Sequence, residues 1–209
     1  QPKQFFSQKN SRELGINFQH HENEFNDFER EILLPHKQST LGPKMAVGDM
    51  NGDGLDDFFI GNARGSAAAT YFQKADGKFE KRNQALWNSE ADYEDTGALI
   101  FDANGDSQPD LYVVSGGNEF SQEDPLLQDR LYLNDGLGNF TRAIDALPQM
   151  LTSGQAVVAE DIDDDGDLDL FLGGRLIPGT YPFPARTYFL QNSGGKFTDV
   201  TDTVAPELK

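Results

Sequence analysis

The sequence has no cysteine, one tryptophan, three histidines and only 17 basic residues against 35 acidic ones. Without cysteine the chain can form neither disulfides nor thiolate sites. The three histidines all lie between positions 20 and 36, which gives little support to a Ser–His–Asp catalytic set. A net charge of −18 argues against nucleic acid and against an anionic membrane surface as partners.

Long apolar runs are also missing. No stretch approaches the roughly 20 apolar residues of a membrane-spanning helix, so we expect no direct insertion into a membrane. No signal peptide is visible and the chain starts at Gln1 rather than at methionine. We therefore expect a mature form or an excised part of a longer protein.

Phenylalanine and glycine are abundant, with 16 and 21 residues, and the apolar runs are short. This composition favours β-strands joined by tight turns over long helices. The sequence therefore predicts an all-β fold.

Three acidic stretches of nine residues share one pattern. They read DMNGDGLDD at 49–57, DANGDSQPD at 102–110 and DIDDDGDLD at 161–169, and we call them loops 1, 2 and 3. Side-chain oxygens stand at the first, third, fifth and ninth positions, and glycine stands at the sixth position of loops 1 and 3. Calcium takes about six to eight oxygen ligands, and glycine permits the sharp turn around the ion. The pattern therefore predicts repeated Ca²⁺ loops, with up to three ions.

The spacing excludes an EF-hand, which needs an acid at the twelfth position followed by a helix. The twelfth residues here are Ile60, Val113 and Leu172. They lie in apolar runs that predict strands, and aspartate stands at the ninth position instead. Each loop is therefore expected to connect two strands of a β-hairpin.

The loops start at 49, 102 and 161, and each belongs to a repeat with four predicted antiparallel strands. A repeat of about 50 to 60 residues with four short strands is typical of a β-propeller blade. We expect an N-terminal segment over 1–43, partly strand with a start at 15–18, which packs on the propeller or completes it. Three blades follow over about 44–96, 97–153 and 154–202, with a tail to residue 209. Closed propellers have about four to eight blades, so the interpretation that we favour is a partial propeller.

The same residues carry a family resemblance. The order of an apolar strand, D-x-[DN]-x-D-G-x-x-D, a second apolar strand and a Tyr-containing hairpin resembles the FG-GAP/VCBS repeats of integrin α-subunit heads and secreted bacterial proteins. The stretches around 20–43 and 173–202 also resemble bacterial surface proteins of the ASPIC/UnbV type, which are related to cartilage acidic protein. The resemblance covers roughly residues 15 to 202.

In that family the calcium ligands are side chains at loop positions one, three, five and nine and the backbone carbonyl at position seven. By position, the resemblance implies the ligands Asp49, Asn51, Asp53, Leu55 and Asp57 in loop 1; Asp102, Asn104, Asp106, Gln108 and Asp110 in loop 2; and Asp161, Asp163, Asp165, Asp167 and Asp169 in loop 3. Loop 2 departs from the pattern, because Ser107 replaces glycine at position six and Pro109 stiffens position eight. Loop 2 therefore fits the calcium pattern less well than loops 1 and 3.

Outside the loops, the connection 175–186 is the best candidate for a ligand surface. It combines proline with Arg175, Tyr181 and Arg186. The alternative is that its aromatic side chains pack on the next blade. The triplet His20-His21-Glu22 lacks the spacing of a zinc site and is interpreted as surface or blade edge.

The sequence thus predicts a calcium-binding propeller segment of a secreted or cell-surface protein, with a bacterial envelope suspected. We expect a protein- or glycan-binding adhesion module and not an enzyme, with the remaining blades of a longer chain as further partners. The alternative is the scaffold of a carbohydrate-active propeller enzyme whose active site is formed with missing blades. A third reading is a pure scaffold.

Overall fold

Twelve strands form three four-stranded antiparallel sheets in a computed structural model that describes residues 7–208. Blade 1 contains β1 (Met45–Gly48), β2 (Asp57–Ile60), β3 (Ala69–Gln73) and β4 (Phe79–Arg82). Blade 2 contains β5 (Asp95–Phe101), β6 (Asp110–Ser115), β7 (Arg130–Asn134) and β8 (Phe140–Arg142). Blade 3 contains β9 (Ser153–Glu160), β10 (Asp169–Leu176), β11 (Tyr188–Ser193) and β12 (Lys196–Asp199). The predicted all-β fold with blades of four antiparallel strands is confirmed.

The helices are short: α1 (Asp27–Arg30), α2 (Gln84–Ser89) and α3 (Thr201–Val204), with single 3-10 turns at Pro125–Leu127 and Pro206–Leu208. Within residues 7–208, none of them has the length and apolar character needed to cross a membrane.

The sheets stand side by side through their first strands, because β1 lies against β5 and β5 lies against β9. In each blade, hairpin register places the acidic loop at one end of the first two strands, as in the pairs Gly48↔Asp57 and Phe101↔Asp110. We call this end the loop face of the blades, and the other end the opposite face.

Strand β6 is buried along its whole length. Leu111 and Val113 point into a core shared with blade 1, and Tyr112 and Val114 point into a core shared with blade 3. Apolar residues on both sides of the pleat are what a strand between two blades requires. Neighbouring blades therefore supply the apolar contacts that one blade cannot provide for itself.

Helix α2 fills the space between blades 1 and 2 with the only tryptophan of the chain. Trp87 is 1% exposed, its ring lies edge-on to Phe59 and Tyr132, and its indole N–H donates to Thr70 Oγ1 at 3.1 Å. The sequence did not predict this helix, because QALWNS is too short for a clear helical period.

The N-terminal segment contains no strand over residues 7–43, so the expected strand at 15–18 is wrong. Residues 10–16 form hydrogen-bonded turns instead, and Gly15 adopts a φ of +81°. A Cβ at that position would lie 2.3 Å from the carbonyl oxygen of Phe79, so the close approach to β4 requires glycine. The apolar residues Ile32 and Leu33, which have roughly helical spacing with Phe25 and Phe28, are 82% and 76% exposed.

This segment crosses the opposite face of all three blades. His20 Nδ1 lies 2.8 Å from Asn62 Oδ1 of blade 1. Buried Asp27 accepts from Asn118 Nδ2 at 2.8 Å, next to blade 2, and Gln38 Oε1 accepts from Arg175 of blade 3 at 2.8 Å. Residues 20–38 thereby connect the three blades near the ends of their second strands.

Asp129, beside β7, provides a pH test of the core of blade 2. Its carboxylate accepts from the Tyr112 hydroxyl and from the Ser115 N–H, both at 2.8 Å. Burial raises its pKa to about 7, against these two hydrogen bonds and the charge of Arg130. A carboxyl whose pKa is raised on folding stabilises the fold below its unfolded pKa, and this contribution disappears as the pH rises through the folded pKa.

We therefore expect the stability of the protein to fall between about pH 4 and pH 7 by up to a few kcal/mol through this group. The Asp129→Asn variant should lack this part of the pH dependence, measured by thermal melts in excess calcium. Asp145→Asn, at an exposed aspartate of the same blade, is the control. Parallel pH curves for Asp129→Asn and the unmodified chain would contradict the assignment.

Candidate metal centre

The ninth aspartate of each loop is buried and bridges three pieces of its blade. One carboxylate oxygen accepts the N–H of the second loop residue, and the other accepts an N–H near the end of the third strand. The donors are Met50 and Gln73 for Asp57, Ala103 and Asn134 for Asp110, and Ile162 and Asn192 for Asp169, at 2.7–3.1 Å. The loop, the second strand and the third strand are thereby held together.

The first aspartate of each loop organises the turn itself. Asp49 accepts from the N–H groups of Gly52, Asp53 and Gly54 at 2.7–3.1 Å. Asp102 accepts from Gly105 and Ser107, and Asp161 accepts from Asp165 and Gly166. The loop backbone therefore wraps around the carboxylate at position one.

The middle positions follow the same arrangement. The fifth residue accepts the N–H of the seventh in every loop, which joins Asp53 to Leu55, Asp106 to Gln108 and Asp165 to Asp167 at 2.8–2.9 Å. At position three, Asn51 and Asn104 accept the N–H of the fifth residue at 3.0 Å, and Asp163 instead contacts Gln191 Nε2.

Loop 3 brings three of its predicted ligands together. Carboxylate oxygens of Asp161, Asp163 and Asp169 lie within 4.8 Å of one another, and Asp165 is outside this trio. In loops 1 and 2, no trio of acidic side chains this close occurs within residues 7–208. Oxygen donors at such distances fit a hard divalent cation.

Position six has a left-handed backbone in all three loops, with φ of +82° at Gly54, +65° at Ser107 and +95° at Gly166. Position four does as well, and here loop 3 has the non-glycine residue, Asp164, at +61°. The departure that the sequence shows at Ser107 is therefore accommodated without changing the turn, at the usual cost of a side chain in this region.

In loops 1 and 2, burial and the neighbouring charges oppose ionisation of the ninth aspartate. Burial raises the pKa of Asp110 to about 6, the N–H groups of Asn134 and Ala103 work against this rise, and the charges of Asp106 and Asp102 add to it. Burial also raises the pKa of Asp57, and the charges of Asp53 and Asp49 act in the same direction. A bound cation would remove this repulsion.

An asparagine that the sequence did not single out connects neighbouring loops. Asn134 Nδ2 donates to the carbonyl of Met50 in loop 1 at 2.8 Å and to that of Pro109 in loop 2 at 2.9 Å. Asn192 makes the equivalent bonds to Ala103 in loop 2 and Leu168 in loop 3, at 2.9 and 3.0 Å. The only signal in the sequence is an asparagine before a glycine-containing turn, which by itself indicates a hairpin.

Of the predicted ligand-surface residues, two share one cavity. Arg175 and Tyr181 both line a cavity of about 250 Å³ on the opposite face, which Arg186 does not line. Arg186 instead pairs with Asp199 at 2.8 Å and with Asp202 at 3.3 Å. His20, from the triplet weighed for zinc, has both ring nitrogens hydrogen-bonded, to Asn62 and Glu22.

We expect Asn134→Ala and Asn192→Ala each to destabilise the protein by about 2–4 kcal/mol, because each leaves two carbonyl groups without a donor. Gln73→Ala is the matched control, since Gln73 holds the equivalent position in blade 1 and only its backbone N–H bonds to the aspartate. Chemical denaturation in excess calcium measures the difference. Equal stabilities of the asparagine variants and the control would contradict the role of the bridges.

Two stretches, residues 49–113 and 102–172, match the family model of the FG-GAP-like repeat. Each match starts at the first residue of an acidic loop and ends in the second strand of the following blade. No curated protein matches the chain significantly. The finer resemblance to ASPIC/UnbV-type proteins is outside this match and stays a prediction. Because the matched residues make up more than half of the sequence, the chain belongs to the FG-GAP-like repeat family.

Proposed function

We propose that this protein is a calcium-binding β-propeller module of a secreted or cell-surface protein, and that it binds a protein or glycan through the face opposite the loops. The observation that carries the first part is the carboxylate trio of Asp161, Asp163 and Asp169 in a loop that occurs three times. Repeats of this family are typical of extracellular and surface proteins, which supports the location. The resemblance to ASPIC/UnbV-type surface proteins favours a bacterial envelope.

In this proposal calcium has a structural role. The ion neutralises the clustered carboxylates of a loop and fixes the turn between the first two strands of the blade. The ninth aspartate extends this effect to the third strand, because its second oxygen accepts a backbone N–H of that strand. Calcium would therefore stiffen the whole blade.

The proposed binding surface surrounds the cavity lined by Arg175 and Tyr181 on the opposite face. Tyr181 and Phe183 are 46% and 70% exposed, and Ile32 and Leu33 of the N-terminal segment are exposed as well. Exposed aromatic side chains beside a concave surface are typical of protein and glycan contacts. Arg175 supports this surface, because it donates to Gln155 and Gln38 at 2.6 and 2.8 Å and so connects blade 3 to the N-terminal segment.

Removal of calcium should lower the melting temperature. An ion at 100 times its Kd adds about 2.7 kcal/mol per site, and a domain of this size shifts by about 2–4 °C per kcal/mol. Asp161→Asn should lose the part of this shift that belongs to loop 3. Asp164→Asn is the matched control, because it removes the same charge from the same loop at an exposed position that is not a predicted ligand.

Melting curves with excess calcium and with excess chelator, for all three chains, separate the calcium effect from the lost hydrogen bonds of Asp161. A melting temperature that does not respond to chelator would refute calcium binding. Equal losses in the Asp161→Asn and Asp164→Asn variants would refute the ligand assignment.

Tyr181→Ala and Phe183→Ala should weaken binding to a protein or glycan about tenfold or more without lowering stability, since both side chains are exposed. Arrays of polysaccharides and of secreted proteins identify the ligand, and titration of each variant measures its affinity. Ile144→Ala is the control, at an 82% exposed residue of blade 2 that does not line the cavity. Unchanged affinity in both aromatic variants would exclude this surface, and turnover of a polysaccharide would favour an enzyme.

A further inference from the structure

Two glutamates meet on the opposite face of blade 2. Glu94 directly precedes β5, and Glu119 follows the end of β6 in the turn 116–120. They flank Gly117, whose φ is +103°, and a Cβ there would lie 2.9 Å from Oε2 of both glutamates. Loop 2 is at the other end of the same two strands, about 20 Å away for six residues of extended chain. This place is therefore separate from the predicted calcium loops.

The two carboxyl groups have no hydrogen-bond donor. Glu94 is 1% exposed, and all four carboxyl oxygens of Glu94 and Glu119 are buried without a partner. The neighbouring guanidinium groups are engaged elsewhere: Arg30 donates to the carbonyls of Asn118 and Phe120 at 2.8 and 2.6 Å, and Arg130 pairs with Asp95.

The shortage of donors extends to the surrounding residues. Among residues 7–208, eight buried side-chain atoms lack a hydrogen-bond partner, and six of them are oxygens. These oxygens belong to Asn23, Glu94, Asn118 and Glu119. Asn118 is adjacent to Glu119 in the chain, and Asn23 is adjacent to Glu22, whose charge acts on Glu94. Four of the six buried side-chain oxygens without a partner in the described chain thus belong to the Glu94–Glu119 pair, and a fifth belongs to the adjacent residue Asn118.

Such a group of oxygens is unfavourable without a positive charge. Burial, contact with Glu119 and the charges of Glu22 and Asp95 all raise the pKa of Glu94 well above its ordinary value. The two glutamates can hydrogen-bond to each other only if one of them carries a proton, and a single proton satisfies two of their four oxygens. A cation with several oxygen ligands satisfies more of them.

We propose that a divalent cation of the calcium type binds between Glu94 and Glu119, at a site distinct from the three acidic loops. The ligand set is two carboxylates with four buried oxygens, which suits a cation that accepts irregular oxygen coordination. The ion would join the turn 116–120 to the start of β5, since Glu119 belongs to this turn and Glu94 directly precedes β5.

The experiment counts bound calcium by equilibrium dialysis and metal analysis of the intact chain. The Glu94→Gln/Glu119→Gln double variant should bind one ion fewer than the unmodified chain. A control pair, Glu123→Gln/Asp145→Asn, removes the same charge from exposed positions and should bind the full number. The Asp161→Asn variant tests the loop 3 site of the proposed function in the same assay. Failure of the loop assignment and failure of the Glu94–Glu119 site are therefore recognised separately.

Stability gives a second readout that a purely structural pair would not produce. In calcium the unmodified chain should melt above the double variant, and in chelator the order should reverse, because glutamine avoids the cost of burying two charges or of taking up a proton on folding. Equal ion counts, together with the same order of stability in both conditions, would show a shared proton and overturn the proposal.

If the double variant does not fold, Glu119→Gln alone provides the test, since Glu119 is only partly buried. It should weaken the additional ion by about tenfold or more, because affinity follows the number of charged ligands. An unchanged affinity for every ion in this variant would also overturn the proposal.

Discussion

The blades depend on one repeated interaction, the buried aspartate at the ninth loop position that accepts two backbone N–H groups. Backbone pairing aligns the third strand with the second, but it does not hold the acidic loop to the third strand. The carboxylates of Asp57, Asp110 and Asp169 do this, since one oxygen faces the loop and the other faces the third strand. Buried charge of this kind is unfavourable unless it is fully hydrogen-bonded or close to a cation. The cost of burial thus makes each blade dependent on its acidic loop.

The sequence predicts this part of the fold well, because the pattern is local and is repeated three times. Apolar runs of strand length on both sides of each loop leave little freedom in how the hairpin forms, and the hydrophobic twelfth positions exclude an EF-hand. The apolar runs that contain Ile60, Val113 and Leu172 form β2, β6 and β10, as the loop pattern predicts. The tyrosine of the hairpin does not occupy the same register position in all three blades. By register, Leu190 and not Tyr188 is the counterpart of Tyr71 and Tyr132.

Features that depend on contacts between distant residues could not be predicted. Asn134 and Asn192 have the sequence context of ordinary turn residues, and their role arises only when the preceding blade places a carbonyl next to them. The position of the N-terminal segment also depends on contacts between distant residues. Asp27 and Arg30 contact the connection after β6 and Gln38 contacts Arg175 of β10, and no period in the sequence indicates these contacts. The surface residues Arg175 and Arg186 were predicted together because they are close in the chain, yet they lie in different environments.

The bridges between loops also have a direction. The second residue of a loop gives its N–H to the aspartate of its own blade and its carbonyl to the asparagine of the next blade, as Met50 and Ala103 do. In loop 3 the same residue is Ile162, whose N–H bonds to Asp169. Within residues 7–208, no asparagine donates to the carbonyl of Ile162. The Ile162 side chain is 49% exposed.

Beside Ile162 lies a cavity of about 160 Å³ with Phe189, Leu190 and Val204 in its lining. An asparagine from a further blade would therefore find at Ile162 the contact that Asn134 finds at Met50. The bridge is the element that allows the array to be extended, since each blade leaves its second loop carbonyl to be satisfied by a neighbour.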